Sequence, residues 1–357
     1  MDVFFTYVSI HIHHCIFTGI SLVISNIINI KVIMIDIKKI DTSSEQLKTA
    51  LLSRGQDTSS IDRMVELNGL RKELIRQGDA IKAQRNELSK KIGQLKSQGQ
   101  DASELMANSS QLATEVSQID SKLSQIESDL NSLALVIPNS PLPDVPVGSS
   151  EADNVVIRQS GTPRTLGFDP KPHWDLGSDL DILDNERAAK LSGARFNVLK
   201  DGLARMQRAL ISLMIDTHTK NHGFKEVFAP VLVLSKTCQG SGQLPKFAGD
   251  MYKIDGEEMF LVSTNEITLV NMHSDEIIPE DKLPIRYTGF ALCFRKEAGA
   301  AGRDTRGLIR VHQFEKVEMV TICKPSESEA ELQHLVSSAG NILDLLELPY
   351  RVSLLCT

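Results

Sequence analysis

Phe294-Arg295-Lys296-Glu297 runs into Ala298-Gly299-Ala300-Ala301-Gly302-Arg303-Asp304-Thr305-Arg306-Gly307, and that into Leu308-Ile309-Arg310-Val311-His312-Gln313-Phe314-Glu315-Lys316-Val317-Glu318. The outer segments read as strands and the middle as a long glycine-rich loop. Arg303 and Arg306 stand in that loop among glycines and alanines. A guanidinium on a strand end can fork onto a phosphate, and a nearby loop arginine can reach RNA.

On either side the pattern has period two and short apolar runs, at 227–233, 259–262 and 317–322, which read as strands. Residues 184–222 read as mostly helical, with Leu203, Met206, Leu210, Leu213 and Met214 as one apolar stripe. A helix over 326–346 and a last strand over 350–356 follow. Helices and strands that do not alternate strictly imply an α+β fold, with a mainly antiparallel sheet flanked by helices. GxxxxGK[ST], GxGxxG and GxSxG are all missing from the sequence. A P-loop, a Rossmann fingerprint and a nucleophile elbow are thereby excluded.

Upstream the period changes. Leu112, Val116, Ile119, Leu123, Ile126, Leu130, Leu133 and Ile137 alternate steps of four and three, which is a heptad seam. Leu67, Leu70, Leu74, Ile81, Leu88, Ile92 and Leu95 form a second seam, in which Gln77 and Gln84 are expected to fill two positions. The polar turn at 97–101 lets the two helices fold back as an antiparallel coiled-coil hairpin over about 62–137. Pro138, Pro141, Pro143 and Pro146 end it. The first helix is basic, with Lys82, Arg85, Lys90 and Lys91 among its cations, and the second carries Lys122 alone. Two readings stay open: solvated faces with interhelical ion pairs, or a basic edge that lies along a phosphate backbone.

The first 33 residues differ from the rest. No charge occurs from Val3 to Ile30, and Met34 opens a plausible soluble start. A translation start set too early is the preferred reading, ahead of a membrane anchor or targeting segment. His11, His13 and His14 resemble a metal site only in composition. The formal net charge of −7 argues against a wholly basic nucleic-acid-binding surface and leaves room for a local basic patch. The five cysteines are scattered and include no CxxC pair, as in a reducing compartment.

The segment 294–318 resembles motif 2 of class II aminoacyl-tRNA synthetases, in the form found in the seryl-tRNA synthetase family. Other pieces resemble that family in the same order. Pro230, after Gly223-Phe224-Lys225-Glu226-Val227, resembles the motif 1 proline of a dimer interface. Gly240-Ser241-Gly242-Gln243-Leu244-Pro245-Lys246-Phe247 resembles the segment after motif 1. Thr264-Asn265-Glu266 resembles the serine-binding turn, and the hairpin resembles the tRNA-binding arm. The likeness covers about 34–357.

The resemblance implies a tRNA-binding arm at 34–138, a linker at 139–165 and a class II catalytic domain at 166–357. It implies ATP, Mg2+, serine and tRNA(Ser) as ligands and a homodimer formed around Pro230; a cytoplasmic location is expected, with an organelle, or a membrane if residues 3–30 are genuine, as the alternative, and neither DNA nor a membrane is expected as partner. Arg295 would grip the ATP α-phosphate. Lys296, often serine in the family, would point away or use its backbone, and Glu297 would face the adenine. Thr264, Asn265, Glu266 and Glu318 would surround the serine, with Glu318 also a candidate metal ligand. Asn265 departs from the usual small residue. Arg303, Arg306, Lys82, Arg85, Lys90 and Lys91 would meet tRNA. His312 is expected to be packed rather than catalytic, and Arg310 either binds substrate or braces the sheet. Nothing after Thr357 supplies the family's motif 3, so a shortened gene product is expected. The alternative is a synthetase-derived protein that binds tRNA without catalysis.

Overall fold

The computed structural model describes residues 4–11, 20–22, 37–297 and 306–357, in two compact units. Arg303 lies outside the described residues, as do the three histidines at 11–14 in their side chains.

The first unit spans Met34–Ser140. It contains α1 (Ile40–Leu52), α2 (Ser59–Ser97) and α3 (Ser103–Ala134). Gly99 ends α2 with φ +69°, a conformation that costs glycine nothing. Asp101 accepts the Ser103 N–H at 2.9 Å and so starts α3. The α3 seam is the expected one. The α2 seam is shifted: Gln77 and Gln84 are exposed, as is Leu70, while Gly78 is buried and Arg71 and Arg85 are half-buried. The inward positions are therefore 67, 71, 74, 78, 81, 85, 88, 92 and 95, an unbroken alternation of four and three. At Gly78 the absent side chain leaves room for Ile119 of α3.

The ends of the hairpin and α1 share a core of Ile40, Leu47, Leu51, Ile61, Met64, Leu67, Leu130, Ala134 and Ile137. Burial of each large side chain contributes roughly 1.5–3 kcal/mol. Arg71 Nε meets Glu127 Oε1 at 3.0 Å and Lys82 Nζ meets Asp120 Oδ1 at 3.3 Å, so interhelical ion pairs are present.

The second unit runs from Pro141 to Thr357 and includes Met1–Ile33. In chain order it holds β1 (Phe4–His11), β2 (Ile20–Leu22), β3 (Val155–Ser160), α4 (His173–Asp179), β4 (Leu183–Asp184), α5 (Asn185–Ser192), β5 (Val198–Leu199), α6 (Asp201–Asn221), β6 (Lys225–Glu226) and β7 (Leu232–Leu234). These are followed by α7 (Ser235–Gly240), β8 (Met259–Leu261), α8 (Glu266–Asn271), β9 (Ile285–Phe294), β10 (Gln313–Cys323), α9 (Ser328–Leu345) and β11 (Tyr350–Leu354). The helix expected over 184–222 is broken in two, because Gly193 and Arg195 take φ +93° and +62° between α5 and α6. Of the strand expected over 227–233 only its end is strand, in β7, because Pro230 interrupts the run; β6 lies just before it at 225–226.

The main sheet has the order β1-β10-β9-β6, with β6 parallel to β9 and the other pairs antiparallel. A second sheet has the order β2-β11-β3. Parts of the apolar extension thus lie on sheet edges, where the open N–H and C=O groups of β10 and β11 accept a further strand. Alternation along β10 sorts its side chains. Val317 and Met319 join α6 and α9 in the largest core cluster, with Met214, Leu335 and Ile342. Val320 and Ile322 face α8 with Leu269 and Val270. Lys316 and Glu318 share this second face.

Candidate active site

Three stretches distant in sequence are laced together by backbone hydrogen bonds. Val262 N–H donates to Val231 O at 2.9 Å, and Phe294 N–H donates to Val262 O at 2.8 Å. This sets the turn Ser263–Glu266 beside the end of β9. Pairing then continues past β9, with Arg295 N–H donating to His312 O at 2.9 Å. Opposite Glu318 and Lys316 in the β9–β10 register stand Gly289 and Ala291; the Val227 carbonyl and the Asn265 amide close over Gly289, and the short Ala291 side chain leaves space beside Lys316.

In that space lies a buried polar triangle. Thr264 Oγ1 donates to Glu318 Oε2 at 2.8 Å. Lys316 Nζ donates to Thr264 Oγ1 at 2.6 Å and meets Glu318 Oε2 at 2.7 Å. The Lys316 and Glu318 side chains are 4% and 0% exposed. Such a pair persists because each charge meets its complement. Glu318 Oε1 is buried and makes no hydrogen bond. A buried carboxylate oxygen without a donor is a place for a cationic or hydroxyl ligand.

Arg295 borders the triangle. Its Nε donates to Ser263 O at 3.3 Å, and its guanidinium lies 4.8 Å from the Phe314 ring centroid. Lys296 uses its backbone, donating to Asp250 O at 2.8 Å, while its ammonium lies over Tyr252. Glu297, at φ +50°, pairs with Arg310 Nε at 2.9 Å, so Arg310 braces a candidate site acid. His312 is packed: its ring stacks on Phe196, and its Nδ1–H donates to Arg295 O at 2.9 Å. Burial pushes the Cys293 thiol up to about 12, which suits packing and not nucleophilic attack.

The structure thus brings Thr264, Glu318 and Arg295 together around one turn. Glu266 is buried at the start of α8. Asn265 is buried over Gly289 with neither amide atom hydrogen-bonded. Arg306 is exposed at the described end of the loop. On the arm, Lys82 and Lys91 are engaged by Asp120 and Glu87, Lys90 is exposed and Arg85 is half-buried. Lys316 was not among the expected site residues. Its spacing of two from Glu318 on one strand is the signal that places both on one face.

The residues do not fit a magnesium ion at Glu318. One carboxylate oxygen is already taken by an ammonium at 2.7 Å, which leaves a single oxygen where magnesium needs several oxygen ligands in an octahedron. Among the described residues no three His, Cys, Asp or Glu side chains gather to hold a metal. No helix among them is long and apolar enough to cross a membrane.

Residues 251–357 match the family model for the tRNA synthetase class II core domain (G, H, P, S and T), which gives the class of the fold and site. Residues 34–141 match the seryl-tRNA synthetase N-terminal domain. A serine–tRNA ligase from Desulforamulus reducens is 52% identical over 324 residues, covering 91% of this chain and 76% of that protein. A serine–tRNA ligase from Symbiobacterium thermophilum is 46% identical over the same shares. The crystal structure of seryl-tRNA synthetase from Pyrococcus horikoshii complexed with ATP is similar at TM-score 0.84 and 32% identity, covering 90% of this chain and 77% of that one. This chain belongs to the seryl-tRNA synthetase family.

Proposed function

We propose that the chain ligates serine to tRNA(Ser) in two steps at the expense of ATP. In the first, the serine carboxylate attacks the α-phosphorus of ATP, forming seryl-adenylate and releasing pyrophosphate. In the second, the terminal ribose hydroxyl of the tRNA takes the seryl group and AMP leaves. No side-chain nucleophile is required, so catalysis is positioning plus charge stabilisation. The observation that carries this reading is the buried Thr264–Lys316–Glu318 triangle beside Arg295, in a chain 52% identical to a serine–tRNA ligase.

Arg295 meets the α-phosphate, where its charge counts most in the crowded transition state. Glu318 Oε1 and Thr264 receive the serine ammonium or hydroxyl, with Glu266 and Asn265 closing the pocket. A site that hydrogen-bonds a hydroxyl discriminates strongly against analogues lacking it. Lys296 and Glu297 frame the nucleotide. Magnesium supplies charge neutralisation when it arrives with the phosphates of ATP.

Lys82, Arg85, Lys90 and Lys91 on the arm and Arg303 and Arg306 in the loop supply charge toward tRNA, which is read by shape and backbone. Phe228, Leu232 and Leu234 flank Pro230 and are exposed, Phe228 to 87%, which supports a homodimer around this proline. Cys238, Cys293, Cys323 and Cys356 are free thiols, in keeping with a cytoplasmic location.

Serine-dependent ATP–pyrophosphate exchange, with threonine as control, tests the reading. Exchange with serine alone is expected. A folded chain that binds tRNA without exchange would identify a binding protein.

A further inference from the structure

A buried lysine stands beside the acid assigned to serine. Lys316 Nζ is within hydrogen-bond distance of two atoms, Glu318 Oε2 and Thr264 Oγ1. Thr264 Oγ1 donates to that same Oε2, so one oxygen of Glu318 takes both donors. The other, Oε1, is buried and without a hydrogen bond. The two oxygens are thereby made different. Without the lysine, a carboxylate could turn either oxygen, or both, toward a ligand.

We propose that Lys316 is a positioning residue for recognition of the substrate ammonium. It saturates Oε2, holds the carboxylate plane, and leaves Oε1 as the single acceptor presented to serine. Ala291 opposite it in the sheet register provides its room, and Cys293 on the same face of β9 adds an apolar wall. The proposal rests on the serine-site reading of Glu318 given above. It goes further in naming the group that decides which oxygen the substrate meets. A truncated buried pair leaves its partner charge uncompensated, so the effect of losing the lysine is concentrated on the acid it holds.

The test uses the full chain and calorimetric binding of 5′-O-(N-seryl)sulfamoyl adenosine, its analogue lacking the amino group, and ATP. Lys316→Met is expected to weaken the seryl compound by at least about 30-fold and ATP by less than about 2-fold, as for loss of one buried charge partner. The preference for the amino compound over the deamino analogue should collapse. In a Glu318→Gln background, Lys316→Met should cost little further, because the lysine acts through the acid. Equal affinities of wild type and Lys316→Met for the seryl compound, or equal losses for all three ligands, would overturn the proposal alone. A wild-type chain that binds ATP but not the seryl compound would overturn the serine-site reading and the proposal with it. Lys316→Gln keeps a hydrogen-bond donor without the charge, and it should give a smaller loss with the same ligand pattern. If neither variant folds, as read by circular dichroism, the lysine is structural and the proposal fails.

Discussion

His173 accepts at Nε2 the backbone N–H of Leu308, 135 residues away, at 2.8 Å. Gly307, immediately before it, takes φ +67°, and a side-chain carbon there would overlap the His173 ring. The C-terminal root of the arginine loop is therefore pinned to α4. Gly307→Ala meets both a strained backbone and a clash, and should destabilise the chain by at least about 2 kcal/mol. His173→Ala leaves one buried N–H without a partner and should cost about 1–3 kcal/mol. Thermal unfolding measures both. An unchanged melting temperature for Gly307→Ala would contradict the pinned root.

His218 gives the unit a defined acid sensitivity. Burial holds the His218 imidazole down at about 3, and the nearby His222 and His334 add to the effect. His218 Nδ1 lies 3.0 Å from His222 Nδ1, and His222 Nε2 lies 3.1 Å from Asn341 Oδ1. A histidine held neutral in the fold takes up its proton more readily when unfolded. Its contribution is therefore complete above the unfolded value near 6.5, and is lost as pH falls from there toward 3. About 2 kcal/mol should disappear between pH 7 and pH 5. His218→Leu should flatten that part of the stability profile relative to wild type. Parallel profiles for the two proteins would refute the assignment.

The coiled-coil hairpin was legible because an apolar seam repeats at three and four, and α3 kept its seam from Leu112 to Leu133, with Ile137 just past the helix end. On α2 the register slipped in the reading. Counting apolar side chains favours Leu70 and overlooks Gly78 and Arg71, which turn inward because a glycine makes room and an arginine finds Glu127. In the second unit the motif order pointed to Thr264, Arg295 and Glu318, which the fold brings around one turn. Lys316 was hidden, since a lysine on a strand reads as surface charge until its partner across the turn is seen. The break between α5 and α6 was hidden as well, because a positive φ at Arg195 leaves no trace in composition.

Gly78 offers a gain in stability. It lies inside α2, where glycine costs about 1 kcal/mol against alanine. An added carbon would stand 3.5 Å from Ile119 Cγ2, an ordinary contact. Gly78→Ala should therefore stabilise the arm by about 0.5–1 kcal/mol, seen as a later helical transition in urea. Gly78→Leu should do the opposite, since overpacking a seam commonly costs about 1–3 kcal/mol. Destabilisation by alanine would show that close approach of α2 and α3 at this point requires glycine itself.

The pairing of Arg310 with Glu297 separates nucleotide binding from serine binding. Glu297 is held at φ +50° with its carboxylate 2.9 Å from Arg310 Nε, and its side chain is 7% exposed. Arg310 itself is exposed, so its removal opens no core. What it does remove is the partner that aims a largely buried acid. If Glu297 frames the nucleotide, Arg310→Ala should raise KM for ATP by about 10-fold, the effect of one charge-assisted hydrogen bond. KM for serine should change by less than about 2-fold, because the Thr264–Lys316–Glu318 triangle does not include Arg310. Lysine at 310 should restore part of the loss, since it keeps the charge but not the fork of the guanidinium. Steady-state exchange kinetics with each substrate varied in turn decide the matter. Equal changes in both KM values would mean that the pair braces the whole sheet end and has no separate part in nucleotide binding.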